Sequence, residues 1–292
     1  MIDKLELFMI LARERHFGRA AEAANISQPT LSSAIKQLES QLGVPLVKRG
    51  ARYQSLTPEG ERVLEWARRI VADCRAMSEE MRAARTGISG RIRLAVIPTA
   101  LATVAELTTR FSQAHPAVSF TVLSRTSKEI LHLVAHLEAD VGITYLENEP
   151  LGEVTSVPLY EERYCFVTAD PDILAGRETM TWAETEGCQL CLLTPDMQNR
   201  RIVNRYLAMA GAEVRAVLET DSIIALVAHV AAGPWSGILP ERIAAMFMSR
   251  NGIRAIPLVS PEGAQIVGAV APRHELRPPA IAAFLQHLAR WR

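Results

Sequence analysis

The chain has 292 residues, 49% of them hydrophobic, and its 32 Lys and Arg side chains balance 32 Asp and Glu side chains. This length suggests two or three domains, and the composition supplies enough apolar side chains for buried cores. The neutral net charge argues against a protein that coats nucleic acid with its whole surface. The sequence contains no recognisable signal peptide and no run of eighteen apolar residues, which favours a cytoplasmic protein without a membrane partner.

Two short helices joined by a polar turn are predicted over residues 19–38. Asn25 ends the first of them. Ser27 fits an N-cap, because its hydroxyl can accept a hydrogen bond from an amide of the next turn. Pro29 then falls in the first turn, where its missing N–H costs nothing. A new helix is therefore expected to begin near Gln28.

The second helix has one apolar stripe and one polar surface. Leu31, Ile35, Leu38 and Leu42 recur at spacings of three and four, which predicts that all four are buried. The polar side chains on the other faces are those of Gln28, Thr30, Ser32, Ser33 and Lys36. They are free to meet a major groove. The spacing alone leaves open an ordinary amphipathic hairpin whose polar face is only solvated.

A small two-stranded wing is predicted over residues 43–57, and its tip carries Lys48, Arg49 and Arg52. Thr57 and Pro58 then begin another helix. Residues 1–57 contain eight basic and five acidic side chains, so this part is slightly basic while the whole chain is neutral. A basic wing beside a polar helix suits contact with the DNA backbone together with contact to base edges.

Residues 8–60 resemble the winged helix-turn-helix of LysR-type transcriptional regulators. The matching positions, in order, are Phe8, Phe17, Ala20-Ala21, Ser27-Gln28-Pro29, Leu31-Ser32, Ile35, Leu38-Glu39, Leu42-Gly43, Leu46, Arg49, Thr57-Pro58 and Gly60. Three places depart from the family pattern: His16 replaces the usual Ser, Val47 replaces the usual Phe, and Ser33-Ala34 replace longer Arg or Gln side chains. The short pair reaches fewer base edges, which shifts readout toward the other polar residues and DNA shape.

The resemblance implies that double-stranded operator DNA is the partner of this region. It places Gln28, Pro29, Thr30, Ser32 and Ser33 at the groove, and it places Lys36, Arg49 and Arg52 on phosphates.

A long exposed helix is predicted from Pro58 to about Arg85. Its apolar side chains recur at spacings of three and four and resemble a coiled-coil seam; they are Leu64, Ala67, Val71, Cys74, Ser78 and Met81, widened by Val63, Ile70 and Met77. The alternative is a helix packed on its own domain. Residues 86–90 break the helix and form a hinge. In the family this helix pairs two chains, which implies a dimer on a near-palindromic operator and, with a second interface, a dimer of dimers.

The remaining two hundred residues alternate strand and helix patterns, which predicts an α/β architecture with a parallel first lobe and a second lobe that begins near Tyr164. The predicted strands are 91–97, 118–124, 140–144, 164–168, 189–193, 214–218, 237–239 and 265–270. The predicted helices include 128–138, 198–210, 222–232, 241–248 and 279–292, the last returning to the first lobe. Two such lobes resemble the periplasmic-binding-protein-like domain of LysR-type regulators.

Three segments follow strands and open helices, where ligands of α/β sheets commonly bind. The candidate effector-binding residues in them are Thr99, Ala100, Arg125, Thr126, Ser127, Thr194, Pro195, Gln198 and Asn199. Helix amino termini and hydroxyl groups favour a small anion such as a carboxylate. Each segment alone is an ordinary helix cap, but the three together favour a ligand site.

The sequence patterns that would indicate a redox, metal-binding or enzymatic function are weaker than those for DNA and effector binding. The pair Cys188 and Cys191 has the spacing of a redox or metal motif but no second Cys or His pair nearby, so buried free thiols are expected. His132 and His136 lie four residues apart without an accompanying acidic ligand, which favours a helix surface over zinc. No catalytic motif is recognisable. The chain is therefore predicted to lack catalytic residues, metals and cofactors.

The predicted organisation is a winged helix-turn-helix over 1–58, a linker helix over 59–86 and an effector-binding domain over 91–292. Within that domain, lobe I is expected at about 91–160 and 266–292, and lobe II at about 161–265. The predicted function is that of a LysR-type transcriptional regulator that answers to a small effector, with RNA polymerase as a further candidate partner.

Overall fold

The computed structural model describes residues 1–49, 53–147, 149–174, 176–248, 252–273 and 276–291. They form two compact units. The first contains Met1–Gly87 with residues 276–279, and the second contains the rest of the described chain. Among the described helices, none is both long and apolar enough to cross a membrane.

The first unit is a helix-turn-helix followed by a wing and a long helix, as predicted. Its elements are α1 (Ile2–Glu14), α2 (Phe17–Ala23), α3 (Gln28–Leu42), β1 (Val47–Arg49), β2 (Tyr53–Leu56) and α4 (Pro58–Thr86). Strands β1 and β2 pair antiparallel and make the wing. The expected start of α3 at Gln28 is confirmed.

Side-chain caps fix the ends of the short helices. The Ser27 hydroxyl accepts a hydrogen bond from the Thr30 amide at 3.3 Å, which confirms the predicted N-cap. His16 caps α2 in the same way, because its Nδ1 accepts from the amides of Gly18 and Arg19. The departure at His16 therefore keeps the capping function of the serine usual in the family. Gly43 ends α3 in the left-handed region, at a φ of 72°.

The core of the first unit confirms most of the predicted stripe, since Leu31, Ile35 and Leu38 are fully buried. Leu42 was predicted to join them but is 38% exposed. It lies in the last turn of α3, and the chain turns away at the next residue, so no neighbouring helix covers it.

The predicted coiled-coil seam on α4 is only partly available to a second chain. Leu64 and Val71 pack against the core of the first unit around the fully buried Ala67. The packing of α4 on its own domain, kept as the alternative, is thus correct for the first half of the helix. Farther along, Met77 and Met81 are 60% and 58% exposed.

The second unit contains two lobes, and the chain passes from the first lobe to the second and back again. The first-lobe elements are β3 (Gly90–Val96), α5 (Leu101–Ala114), β4 (Val118–Ser124), α6 (Ser127–Ala135), β5 (Val141–Tyr145) and β6 (Val154–Glu162). The second-lobe elements are β7 (Tyr164–Thr168), β8 (Met180–Thr181), β9 (Leu190–Leu193), α7 (Gln198–Met209), β10 (Ala216–Thr220), α8 (Ile223–Ala232), β11 (Ser236–Pro240), α9 (Glu241–Phe247) and β12 (Arg254–Val259). The chain then returns to the first lobe through β13 (Gln265–Pro272) and α10 (Pro279–Arg290).

The prediction of a parallel first lobe is wrong in part. Its sheet has the order β4-β3-β5-β13-β6, and β13 runs antiparallel to both of its neighbours. Strand β13 runs in the opposite direction to its neighbours because the chain re-enters the first lobe from the second lobe. The second sheet, with the order β10-β9-β11-β7-β12-β8, is also mixed. Strands β6, β8 and β12 were not predicted, and Pro158 and Pro257 interrupt the strand pattern of two of them.

Two predictions about helices in the first lobe have different outcomes. The return of the last helix is confirmed, because the Phe284 ring in α10 packs against Phe111 of α5 with centroids 5.1 Å apart. Helix α6 was predicted to run to residue 138 but ends at Ala135. Leu137 takes a φ of 58°, which is incompatible with a continuing right-handed helix.

The junction between the wing and α4 depends on Thr57. Its hydroxyl donates to the Pro45 carbonyl at 2.7 Å and accepts from the Gly60 amide at 2.9 Å. We expect Thr57→Ala to lower the free energy of unfolding of the DNA-binding unit by about 1–2 kcal/mol, because it removes both the helix cap and the hydrogen bond to the Pro45 carbonyl. Urea unfolding monitored by circular dichroism tests this. Thr57→Ser keeps the hydroxyl and should lose much less; equal losses for the two variants would contradict the capping role.

Candidate functional site

The amino-terminal half of α3 presents the polar surface expected for groove contact. Gln28, Pro29, Thr30, Ser33 and Lys36 are all exposed. Ser32, the remaining predicted contact, is half-buried. The Thr30 hydroxyl is 2.7 Å from that of Ser27, so it is already engaged at the helix cap. Gln28 and Lys36 therefore have the most freedom to reach a partner.

The wing is attached to α3 through a carboxylate that the sequence reading counted only as a charge. Glu39 Oε1 accepts hydrogen bonds from the amides of Leu46 and Val47, at 2.9 and 3.2 Å. These two bonds hold the start of β1 against α3. Lys48 is exposed on the wing. The Arg49 side chain and the whole of Arg52, both predicted phosphate contacts, lie outside the described residues.

The three predicted effector segments meet in one cleft between the lobes of the second unit. An outer cavity of about 700 Å³ is lined by Pro98, Ser124, Arg125, Thr126, Lys128, Glu129, Pro195, Asp196, Met197, Arg201 and Asp221. Arg125, Thr126 and Pro195 are thus brought together as predicted. The other charged lining residues were not among the predicted contacts, because their approach depends on how the two lobes face each other.

A narrow inner crevice of about 10 Å³ lies below the outer cavity and shares Pro98, Thr126 and Met197 with it. Besides Thr126, four predicted residues line the crevice: Thr99, Ser127, Gln198 and Asn199. Ala100 and Thr194 line neither space. Ala100 is fully buried in the first-lobe core, and the Thr194 amide pairs with the Thr220 carbonyl at 3.0 Å. Neither residue is therefore among those that the structure brings to the cavity or the crevice.

The crevice is small because a buried polar network fills it, and the network centres on the Tyr145 hydroxyl. This hydroxyl donates to Glu162 Oε1 at 2.5 Å and accepts from Asn199 Nδ2 at 3.2 Å. Tyr164 also donates to Glu162 Oε1, at 3.4 Å. The network joins the first lobe, which holds Tyr145 and Glu162, to the second, which holds Tyr164 and Asn199. Neither Tyr145 nor Glu162 was singled out from the sequence.

Burial changes the proton affinity of these groups. It raises the pKa of the Glu162 carboxyl from 4.5 to about 7, although the hydrogen bonds from Tyr145 and Tyr164 oppose the shift. It also raises the pKa of both tyrosines, so their hydroxyls stay protonated and act as donors. The floor of the cleft thus contains a carboxyl that exchanges its proton near neutral pH.

Three of the cysteine thiols are poor nucleophiles, and the cysteines and histidines form no candidate metal site among the described residues. All four cysteines are free. Burial raises the pKa of Cys165 to about 12 and of Cys191 to about 11, and the pKa of Cys188 is raised too. These thiols hold their protons at neutral pH and react slowly. The described residues contain no group of three or more His, Cys, Asp or Glu side chains arranged to hold a metal ion.

Comparison with known families matches nearly the whole chain. A model described as "Bacterial regulatory helix-turn-helix protein, lysR family" matches residues 2–61. A second, described as "LysR substrate binding domain", matches residues 85–292.

Individual relatives are similar over most of their length. The DNA-binding transcriptional dual regulator OxyR of Escherichia coli (strain K12) is 27% identical over 270 residues, which cover 92% of this chain and 88% of OxyR. The uncharacterized regulator YybE of Bacillus subtilis (strain 168) is 28% identical and covers 98% and 97%. Among solved structures, a full-length OxyR variant from Pseudomonas aeruginosa has a TM-score of 0.78 at 23% identity, covering 100% of this chain and 95% of the other. CbnR bound to its target DNA has a TM-score of 0.68 at 23% identity and covers 99% of both chains.

The buried Glu162 carboxyl should make stability depend on pH. Because its pKa is higher in the folded than in the unfolded state, the folded state loses stability as pH rises from about 4.5 to about 7. Glu162→Gln removes this titration. The variant should gain about 3 kcal/mol relative to the wild type between pH 4 and pH 8, a value that follows from about 1.4 kcal/mol per pKa unit.

Urea unfolding at a series of pH values provides the measurement. Glu161→Gln is a matched control, since Glu161 is the neighbouring carboxylate and its side chain is 64% exposed. A parallel pH dependence of the wild type and Glu162→Gln would contradict the assignment of the titration to Glu162.

Proposed function

This chain belongs to the LysR family of bacterial transcriptional regulators, and we propose that it reads a near-palindromic operator and responds to a small anion bound between its lobes. It is a DNA-binding regulator with an effector-binding domain, and its relatives are regulators rather than enzymes. The identity and charge of the effector, its location and the form of the operator are the parts that we propose. The exposed polar start of α3 is the observation that carries the DNA-reading proposal.

The proposed DNA interface divides its contacts between bases and phosphates. Gln28 lies at the first turn of α3 and has an amide that can pair with an adenine edge. Lys36 lies two turns farther along and offers a mobile cation to the backbone. The wing, which Glu39 holds against α3, carries the exposed Lys48. Arg49 and Arg52 remain predicted phosphate contacts.

We propose that the active form is a dimer or a dimer of dimers in which α4 contributes one interface. Trp66, Met77 and Met81 on α4 are 63%, 60% and 58% exposed. Apolar side chains of this size on one helix favour association with a second copy. A dimer of this kind would space two recognition helices for half-sites about one helical turn apart.

The proposed effector site is the outer cavity, and an anion suits it for two reasons. Arg125 and Lys128 supply positive charge from the first lobe. From the second lobe, α7 begins at Gln198, and its N-cap residue Met197 has no side-chain oxygen to pair with the first amides. Uncapped amides at a helix amino terminus attract anions. Binding across the cleft would favour one arrangement of the lobes and so change the DNA-bound assembly.

Several relatives are named hydrogen peroxide-inducible genes activators, but we propose no peroxide response for this chain. Cys165 and Cys191 lie in one buried core of the second lobe, and burial raises the pKa of both thiols. A peroxide sensor needs an accessible thiolate. The function proposed for this chain is therefore ligand sensing.

The proposed function is tested by footprinting the full-length protein on genomic fragments at fixed salt, with and without small carboxylates and inorganic anions. We expect protection of a near-palindromic site and a change in its extent when one of the anions is present. Binding that depends on salt but prefers no site would contradict the DNA-reading proposal. An unchanged footprint with every inorganic anion and every carboxylate, amino acids included, would contradict the effector proposal.

Substitutions in α3 separate the two kinds of DNA contact. Gln28→Ala should weaken operator binding by about 1–3 kcal/mol per half-site while leaving random-sequence binding nearly unchanged. Lys36→Ala should weaken both and reduce the slope of log K against log salt by about one per contact. Fluorescence anisotropy at several salt concentrations measures both effects. Gln41→Ala, at an exposed position near the end of the same helix, is the control and should bind as the wild type does.

A further inference from the structure

The charges around the outer cavity are divided between its two walls. The first lobe contributes Arg125 and Lys128, and the second contributes Asp196 and Asp221. Within the described part of the chain, Lys128, Asp196 and Asp221 have no ion-pair partner, and Arg125 donates only to the neighbouring Ser124 carbonyl. Apart from the partial positive charge at the amino terminus of α7, these four side chains divide by sign: the first lobe offers the two cations and the second lobe offers the two carboxylates.

The two other charged residues of the cavity are already engaged. Glu129 accepts hydrogen bonds from the amide and hydroxyl of Thr126, both at 2.9 Å, and so completes a capping box at the start of α6. Arg201 pairs with Glu149 and donates to the Asp196 carbonyl at 2.6 Å. Hydrogen bonds from neutral groups leave the charge of Glu129 in place, so the first-lobe wall has two cations and one carboxylate and is net positive. Arg201 is paired with Glu149, so the second-lobe wall is net negative through Asp196 and Asp221.

The inner crevice adds an unused acceptor. Gln198 is only 4% exposed, and its Nε2 donates to the Glu147 carbonyl at 3.1 Å, which fixes the orientation of the amide. Its Oε1 is buried and has no donor among the described residues. A buried acceptor left without a partner is costly, so a ligand donor at this place would stabilise the site. The Ser127 hydroxyl, also in the crevice, is buried without a partner as well.

An anion without a cationic group could pair with the charged side chains on only one wall of the cavity. Its negative charge would face Arg125 and Lys128, but it would leave Asp196 and Asp221 unpaired and bring like charge toward them. It would also supply no N–H group for Gln198 Oε1. A ligand with a cationic nitrogen at its other end removes each of these deficits.

We propose that the effector is a zwitterion of about amino-acid size. Its anionic end lies against Arg125 and Lys128, its cationic nitrogen lies against Asp196 and Asp221, and an N–H of the ligand reaches Gln198 Oε1. The inference rests on the proposed function, since it specifies the chemistry of the same cleft. By bridging oppositely charged walls, such a ligand draws the two lobes together.

Matched probes test the proposal on the full-length protein by isothermal titration calorimetry. The probes are the twenty protein amino acids, the 2-hydroxy acids that replace the amino group of alanine, aspartate, glutamate and phenylalanine, and the amines that lack the carboxylate. We expect at least one amino acid to bind at least tenfold more tightly than both of its analogues. The preference is overturned if hydroxy acids bind as tightly as amino acids, or if no amino acid binds.

Charge-neutralising variants test the assignment of each wall. Asp196→Asn combined with Asp221→Asn should lower affinity for the amino acid at least tenfold and raise affinity for its hydroxy analogue. Arg125→Gln combined with Lys128→Gln should weaken both. Asp172→Asn is the control, because Asp172 is exposed on the second lobe and lines neither space. An unchanged preference in the Asp196 and Asp221 variant would overturn the proposal.

The two proposals fail in different ways. If carboxylates change the footprint on the operator but amino acids do not bind, the zwitterion inference is wrong and the proposed function stands. If full-length protein protects no specific DNA site, the proposed function is wrong whatever binds in the cleft.

Discussion

The hydrogen bond from Tyr145 to Glu162 is the interaction on which the effector domain depends. It lies where the chain passes from the first lobe to the second, and it fills the floor of the cleft with side chains instead of leaving a deep pocket. Burying a carboxyl is costly unless it is neutral or well paired. The two tyrosine donors and the raised pKa of Glu162 are the ways in which this fold meets that cost. The larger open space of the cleft is consequently its outer, charged part.

The same network of hydrogen bonds links the two lobes directly to each other. Asn199 donates to the Tyr145 hydroxyl from the first turn of α7, so the start of that helix is tied to the first lobe. Gln198, one residue earlier, reaches across to the Glu147 carbonyl. The start of α7 is therefore held by both lobes, and any shift of one lobe against the other must act on these bonds.

A feature could be predicted from the sequence when the residues that determine it lie close together along the chain. Ser27 and Pro29 specify the start of α3 within four residues, and the structure confirms it. The antiparallel entry of β13 could not be predicted in this way, because its partners β5 and β6 lie more than a hundred residues earlier. A single sequence contains no local record of which strand lies beside which.

The residues of the candidate site could likewise be predicted only where a local sequence pattern marks them. Arg125 and Thr126 were predicted because they follow a strand and open a helix, which is a local pattern. Glu162 was not, because a single glutamate next to another, Glu161, reads as a solvated charge. Only the fold distinguishes the two, burying one beside Tyr145 and leaving the other exposed. The side chains that follow local rules thus mark where the cleft lies, while the buried network that sets its depth is brought together by the packing of the two lobes.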